Sequence, residues 1–290
     1  MSSTEPIQIP VDLTNPGQFF ACCGLLELAD RLWPGAEGWF EDRQFRLRFN
    51  ASLGELIDSL RRAVIANTMS PKQRARLDEL SKMSKKDLAK AGFEDEKKVL
   101  DTMRREEPMV LQSSFEFRID WFRDEYAGGS RFKTWAGQQS VLDIATAMHA
   151  SLCRVDAAVE STLWDCVRGG GLPFNFDSDL GAQGSALDIG FSFDPLAASD
   201  MTRIEGTCRP GLELLAFIGL QRFRPREIPR QNRFVYAAWR QPLPPPVAAA
   251  AACEAIPVGA ASCYEFRLLY RTKYLKSFLP AIPFQGDDDE

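Results

Sequence analysis

Residues 9–40 read IPVDLTNPGQFFACCGLLELADRLWPGAEGWF and carry the clearest fold signal in the chain. Asn15-Pro16 predicts a helix start, because Asn caps a first helical turn and Pro is tolerated at its first position. The helix is expected to run from about Gly17 to Trp33, where Pro34-Gly35 ends it. Apolar residues occupy most of its circumference, which indicates that other elements cover it on two sides.

Alternation of apolar and polar residues with a period of two predicts strands that have one buried face. The strand candidates are Ile7–Leu13, Phe45–Phe49, Phe115–Trp121, Ile189–Phe193, Phe234–Trp239 and Tyr264–Leu268. The helix candidates are Leu53–Ala66, Gln139–Arg154, Gly211–Gln221 and Pro246–Ala255. Because these elements do not repeat as βαβ units, we predict an α+β fold in which helices pack on a mixed, largely antiparallel sheet.

Residues 67–107 differ from the rest, since they hold 11 Lys or Arg and 9 Asp or Glu. Ser70-Pro71 and Ser84 predict helix starts, and Gly92 predicts a helix end. This segment is therefore expected to be a solvated helical insertion. The chain then divides into a first part of the α+β core (1–66), the charged helical insertion (67–107), the remainder of the core (108–285) and an acidic tail (286–290).

Composition narrows the class of protein. The net charge of −5 argues against a free-standing, non-specific nucleic-acid-binding protein, which is usually basic. Seven cysteines without a C-x-x-C pair indicate reduced, buried thiols and not a disulfide scaffold or zinc site. The first residues lack the pattern of a secretion signal, and no apolar run reaches membrane-spanning length, so we expect a cytoplasmic protein with no membrane partner.

The sequence shows no complete enzyme centre. The single histidine, His149, lies in a predicted helix, whereas nucleophile and metal systems would need it in a cleft. Asn175, Asp177 and Asp179 resemble the start of a calcium loop, but its glycine is missing. No glycine motif for nucleotide binding occurs. We predict a protein without catalytic residues, cofactor or metal. The alternative is a magnesium-dependent nuclease that uses Asp177, Asp179 and Asp188.

The first candidate binding segment is residues 121–139, WFRDEYAGGSRFKTWAGQQ. Gly128-Gly129-Ser130 can present consecutive backbone N–H groups, and Arg131, Lys133 and Trp135 follow. Backbone donors, two cations and an aromatic face suit a phosphate backbone or an unstacked base. A surface loop with a buried tryptophan explains the same residues equally well.

The second candidate segment, residues 201–240, holds eight arginines, three glutamates and no lysine, so its local charge is +5. Arginine forms forked bonds to phosphate and stacks on bases. The predicted nucleic-acid-binding residues here are Arg222, Arg224, Arg226, Arg230, Arg233 and Arg240. Alternatively, these arginines pair with acidic residues elsewhere in the chain. The local excess of one sign favours nucleic acid.

Residues 9–40 resemble the N-terminus of a family of accessory or effector-complex subunits from type I-G (formerly I-U) CRISPR systems. They are also loosely similar to the start of the large subunits of several type I complexes. Three later stretches fit the same family, so the resemblance spans nearly the whole chain. They are residues 120–140 (DWFRDEYAGGSRFKTWAGQQS), 174–195 (FNFDSDLGAQGSALDIGFSFDP) and 209–225 (RPGLELLAFIGLQRFRP).

The resemblance implies a subunit of a guide-RNA complex in antiviral defence. Its partners would be other CRISPR effector subunits, guide RNA and/or target DNA, and, as a further candidate, the helicase–nuclease that cuts the DNA. In such complexes base pairing reads the target while protein subunits contact the backbone, so no catalytic centre is required. A ferredoxin-like element, frequent in CRISPR subunits, is a further expectation. The alternative role is an adaptor that docks the helicase–nuclease through residues 67–107 and the acidic tail.

Overall fold

The computed structural model describes residues 5–123, 131–135, 140–152, 174–179, 209–229, 232–270 and 276–285. The α-helices in these residues are Pro16–Leu32 (α1), Leu53–Arg62 (α2), Pro71–Lys82 (α3), Lys85–Ala91 (α4), Glu94–Glu106 (α5), Val141–Leu152 (α6), Pro210–Gly219 (α7) and Pro245–Ala252 (α8). The strands are Ile7–Pro10 (β1), Glu37–Glu41 (β2), Gln44–Arg48 (β3), Val64–Asn67 (β4), Met109–Gln112 (β5), Glu116–Ile119 (β6), Arg226–Ile228 (β7), Arg233–Trp239 (β8), Ala261–Tyr270 (β9), Lys276–Phe278 (β10) and Ile282–Pro283 (β11).

The strands form three antiparallel sheets, which confirms the predicted α+β class. The N-terminal sheet has the order β1-β3-β2, and the middle sheet has the order β4-β5-β6. The C-terminal sheet has the order β10-β9-β8-β7, and β11 also pairs with β9. The single broad sheet expected from the sequence is thus divided into three.

The N-terminal sheet contains the split βαβ arrangement found in ferredoxin-like folds. Strand β3 lies between β1 and β2 and is antiparallel to both, so α1 connects two parallel strands. Helix α2 and β4 continue the ferredoxin-like order along the chain, but β4 pairs with β5 in the middle sheet. The ferredoxin-like expectation is therefore met by residues 7–48 and not by the strand that follows.

Helix α1 is the most deeply buried long helix of the core, with every residue from Pro16 to Ala29 buried. Asn15 caps it as predicted, since its side chain accepts a hydrogen bond from the Gln18 N–H. The Phe19 ring stacks on Tyr236 with 4.2 Å between ring centroids, which joins α1 to the C-terminal sheet. The two-sided burial that the sequence predicts is therefore present.

Helices α1 and α7 touch backbone to backbone through two glycines. A Cβ atom at Gly24 would lie 2.1 Å from the carbonyl oxygen of Leu215, and one at Gly219 would lie 2.1 Å from that of Phe20. The N-terminal ends of both helices contact residues 174–179, so the helices run in the same direction. Only a residue without a side chain permits this approach.

The chain enters the insertion after β4 and leaves it before β5. These two ends are adjacent in space, because Asn67 on β4 pairs with Met109 on β5. Helices α3, α4 and α5 follow the predicted signals, with capping by Ser70 and Ser84 and a left-handed Gly92 at φ +73°. These helices enclose a small core of their own, formed by Met69, Leu77, Leu80, Leu88 and Leu100. The predicted solvated helical insertion is thus a three-helix unit.

One sequence expectation needs correction, and another cannot be compared with the described residues. The helix predicted over Leu53–Ala66 ends at Arg62, and its last residues form β4 instead. Ala63 is extended, with ψ 152°, and the β-branched residues after it pair with β5. The predicted strand Ile189–Phe193 lies outside the described residues. Within the part of the chain that the structure describes, no helix is both long and apolar enough to cross a bilayer.

Gly24→Ala is expected to destabilise the protein by more than about 3 kcal/mol, because the added methyl would overlap the α7 backbone. Gly54→Ala in α2 is the matched control, since the nearest atom to its added Cβ is 3.8 Å away. Alanine at this helical position should stabilise by about 0.5–1 kcal/mol. Chemical denaturation of both variants measures the difference. An unchanged midpoint for Gly24→Ala would contradict the helix contact.

Candidate nucleic-acid interface

Arg222, just after α7, faces α1. Its Nε donates to Glu27 Oε2 at 2.5 Å, and the Nε of Arg31 donates to the other oxygen of that carboxylate at 2.7 Å. Glu27 is 2% exposed, and its hydrogen bond to Arg222 raises the pKa of the guanidinium. A buried carboxylate left without its cation is strongly destabilising. Arg222 therefore serves an internal ion pair.

Arg233 and Arg267 share one buried carboxylate on the C-terminal sheet. They are register partners on β8 and β9. Arg233 pairs with Glu265, and the Nε of Arg267 lies 3.6 Å from the same carboxylate. The hydrogen bond from Arg233 lowers the pKa of Glu265. Glu265 is 3% exposed while Arg267 is 62% exposed, so the guanidinium of Arg267 stands at the surface.

Arg226 lies on the same face of this sheet, because it is aligned through Val235 with Glu265. We call this face, which carries Arg226, Arg233, Glu265 and Arg267, the arginine face. Arg226 itself donates two hydrogen bonds to Glu254, at 2.8 and 2.6 Å. It is therefore also part of an ion pair, although its side chain stays partly exposed.

Two further predicted cations lie off the arginine face. Arg131 pairs with Glu227, whose side chain alternates away from that of Arg226. Arg240 donates to the Ser262 hydroxyl at 3.3 Å, and Ser262 alternates to the opposite side of β9 from Arg267.

The predicted arginines thus do not form one ridge. The ion-pair alternative stated for residues 201–240 describes Arg222, Arg226 and Arg233. Arg131, from the first segment, is ion-paired as well. Arg224 is half-buried, and Arg230 lies outside the described residues. Whether any of these side chains contacts nucleic acid stays a prediction.

Trp135 is part of the core and offers no exposed face to a base. It is 2% exposed, and its ring packs against Trp121, Phe174 and Phe217 with centroid distances of 6.0, 5.4 and 6.1 Å. Lys133 is also buried, and its Nζ lies 3.5 Å from Glu106. The structure shows the second interpretation of this segment, a buried tryptophan, because its aromatic ring fills the space beside α7.

Asp177 is the centre of a buried polar cluster. It accepts hydrogen bonds from Arg209 Nε at 2.5 Å and from Asn15 Nδ2 at 2.8 Å. Arg209 also donates to Asp179 at 2.7 Å. Asn15 and Arg209 stand at the starts of α1 and α7, where helix dipoles favour an anion. Two of the three carboxylates in the nuclease alternative, Asp177 and Asp179, are therefore engaged by Arg209. The third, Asp188, lies outside the described residues.

Glu213 completes this cluster from the first turn of α7. Its two oxygens accept hydrogen bonds from the N–H groups of Phe176, at 3.3 Å, and Asp177, at 3.1 Å. Burial, and then the charge of Asp177, raise the pKa of Glu213 to about 8. The carboxyl group therefore holds its proton more tightly than an exposed glutamate does. Among the described residues no three His, Cys, Asp or Glu side chains are placed to hold a metal ion.

Sequence reasoning missed this cluster because it treated its members separately. Asn15 was assigned as a helix cap and Arg209 as part of the arginine-rich segment. The available signal was a polar or charged residue at the start of each of two otherwise apolar helices. Such residues need partners when the helices are buried.

Residues assigned to structural roles behave as expected. The Nε2 of His149 lies 2.8 Å from the carbonyl oxygen of Leu60, so the ring links α6 to α2. Cys22 and Cys23 are free thiols with no exposure in α1. Burial raises the pKa of both thiols well above its ordinary value, which makes them poor nucleophiles.

Comparison with known proteins provides no family assignment. No protein-family model matches the chain, and no curated protein matches it. The similarity to type I-G CRISPR subunits therefore depends on the sequence stretches quoted above.

The raised pKa of Glu213 predicts a pH-dependent stability. A carboxyl that binds its proton more tightly in the folded state makes stability fall as pH rises from about 4.5 to about 8, by at most about 1.4 kcal/mol per pH unit. Glu213→Gln should remove this decline, although its amide would oppose a backbone N–H and lower stability throughout. Denaturation midpoints across this pH range test it.

The control for that experiment is Glu116→Gln, an exposed carboxylate on β6, which should leave the pH dependence unchanged. If the stability of the Glu213→Gln variant falls with rising pH as steeply as that of the natural protein, Glu213 is not the titrating group.

Proposed function

We propose that this protein is a non-catalytic, cytoplasmic subunit of a type I-G CRISPR interference complex and contributes to the binding of guide RNA or target DNA. The observation that carries the proposal is the arginine face, where Arg267 is 62% exposed beside Glu265, a buried carboxylate that Arg233 already neutralises. The resemblance of the quoted sequence stretches to this family supplies the biological context.

The arginine face has the properties that a backbone contact needs. Arg267 is mostly exposed and makes only a long contact to Glu265, so its guanidinium can turn to a phosphate without leaving a buried charge unpaired. Arg233 continues to neutralise Glu265 when that happens. Both residues stand on paired strands, which fix the positions of their backbones. Sequence-independent contacts of this kind are what a subunit supplies when base pairing reads the target.

The remaining predicted residues take different parts in this proposal. Arg226 extends the arginine face, whereas Arg222 pairs with Glu27 of α1 and Trp135 is part of the core, so neither belongs to that face. The engagement of Asp177 and Asp179 by Arg209 favours a non-catalytic role over the nuclease alternative, because a catalytic magnesium ion would have to compete with that guanidinium.

A second candidate role is an adaptor that docks the helicase–nuclease. The observation that favours it is the three-helix insertion, which has its own small core. It joins the rest of the fold at the β4–β5 pair and contacts it again through α5, which packs on α6 and pairs Glu106 with Lys133. A unit of this kind can contact another protein without disturbing the core. This role predicts that removing the insertion releases the helicase–nuclease but leaves the guide RNA in the complex.

Arg267→Ala is expected to weaken binding to guide RNA and to reduce the salt dependence of log Kobs by about one unit of slope, as loss of one phosphate contact does. The matched control is Arg118→Ala on β6. Arg118 is 59% exposed and lies 3.4 Å from Asp120, so both variants remove an exposed arginine with one long ion pair. Binding to labelled guide RNA at several salt concentrations measures the effect.

Equal losses in both variants would mean that overall charge, and not the arginine face, determines binding. Membership of the complex is tested separately, by co-expressing the neighbouring subunits and purifying through a tag on this chain. Recovery of the tagged chain without subunits or guide RNA would overturn the proposed function.

A further inference from the structure

The lysines of this chain are concentrated in the insertion. Seven of the ten lysines lie within residues 67–107, namely Lys72, Lys82, Lys85, Lys86, Lys90, Lys97 and Lys98. The arginines of the same segment are engaged within it, as Arg76 shows by pairing with both Glu79 and Glu96. A count of positive charges adds lysines and arginines together and so does not show that they differ in their contacts.

Four of these lysines surround the junction of α3 and α4. Lys82, Lys85, Lys86 and Lys90 are all exposed, and within the described residues none of them forms an ion pair. The one acidic residue between positions 82 and 90 is Asp87, and its carboxylate accepts a hydrogen bond from the Ser84 hydroxyl at 2.6 Å. Residues 82–90 therefore hold four lysines and one carboxylate. Asp78 and Glu79 precede this stretch and Glu94, Asp95 and Glu96 follow it, and Arg76 pairs with Glu79 and Glu96. We call the four lysine side chains the lysine surface.

Helix geometry directs this surface away from the insertion's own core. Leu88 is the buried residue of α4. At 3.6 residues per turn, Lys86 and Lys90 each lie about 160° around the helix from Leu88. Their ammonium groups therefore extend into solvent from the side opposite the small core.

We propose that the lysine surface is a docking site for the phosphate backbone of nucleic acid. This inference rests on the proposed function and adds that the insertion itself makes a contact, in addition to the arginine face. Lysine is a hydrated point charge on a long stem, which suits phosphates at variable positions better than carboxylates in a fixed geometry. Neutralising several phosphates releases counterions and gives binding without sequence preference.

The composition of the surface favours nucleic acid over an acidic protein. Lysine is depleted in protein–protein interfaces, whose centres are apolar or aromatic. The large apolar side chains exposed in the described residues are Val64, Val99, Val247 and Ile282, and none belongs to the lysine surface. An acidic protein partner would therefore find charge here but no apolar anchor.

The test uses the full-length chain and an oligo-thymidylate of about 30 nucleotides, longer than an ordinary single-strand binding site. One variant changes all four lysines to Gln, and its charge-preserving control changes the same four to Arg. If each lysine neutralises one phosphate, the Gln variant should lose about three units of salt-dependence slope and bind about tenfold more weakly or worse at low salt. The Arg variant should bind like the natural protein.

A second variant replaces residues 68–108 with a short glycine-containing turn between β4 and β5. The register of Asn67 with Met109 permits the replacement, but it also removes Glu106, the partner of the buried Lys133, so thermal unfolding first establishes that the core is folded. In the folded variant, binding should fall as in the Gln variant. A natural chain that does not bind the oligonucleotide, or a Gln variant that binds it equally well, overturns the inference. So does a Gln variant that keeps its binding but loses a protein subunit on co-expression, which would identify a protein partner.

The two proposals fail separately. If the isolated chain binds oligo-thymidylate through the lysine surface but its purified assembly contains no guide RNA, the inference stands and the proposed function falls. If the assembly contains guide RNA and the Gln variant binds both RNA and oligo-thymidylate normally, the proposed function stands and the inference falls.

Discussion

The backbone contact between α1 and α7 fixes the positions of the charged groups at both ends of the helix pair. Gly24 and Gly219 allow the two helices to lie parallel at the closest distance that main chains permit. Parallel helix dipoles side by side repel each other. Asp177 stands at the joined N-terminal ends, and Arg31 and Arg222 stand toward the C-terminal ends, where each charge opposes the local partial charge. The contact therefore explains why Arg222 lies beside Glu27 and pairs with it.

Features determined by neighbouring residues could be predicted from the sequence. The Asn15 cap, the buried α1 and the Gly92 helix end each depend on side chains within one or two helical turns. The hydrogen bond between Asn15 and Asp177 spans 162 positions and leaves no local pattern. Strand β4 was missed for the same reason, because its extended conformation depends on pairing with β5 beyond the insertion.

Sequence reasoning was limited in a similar way at the candidate nucleic-acid interface. Counting charges located the arginine-rich segment, but it could not tell which carboxylates lie nearby in the fold. Arginine is well suited to neutralising a buried carboxylate because its planar fork satisfies several acceptor positions, and Glu27 and Glu265 use it in this way. Lysine remains at the surface of the insertion. A net charge of −5 conceals this difference between Glu27 and Glu265, which arginines neutralise, and the exposed lysines of the insertion.

The adjacency of Asn67 and Met109 has a consequence for how the chain can change over time. An appended unit whose two ends meet at a strand pair imposes no length requirement on the core, and doubling the length of a flexible connection raises the closure free energy by only about 0.6 kcal/mol. Helices can therefore be gained, lost or exchanged at this point while the antiparallel ladder keeps its alignment. The β4–β5 connection is therefore a site where inserted segments with new binding properties can be accommodated while the core keeps its fold.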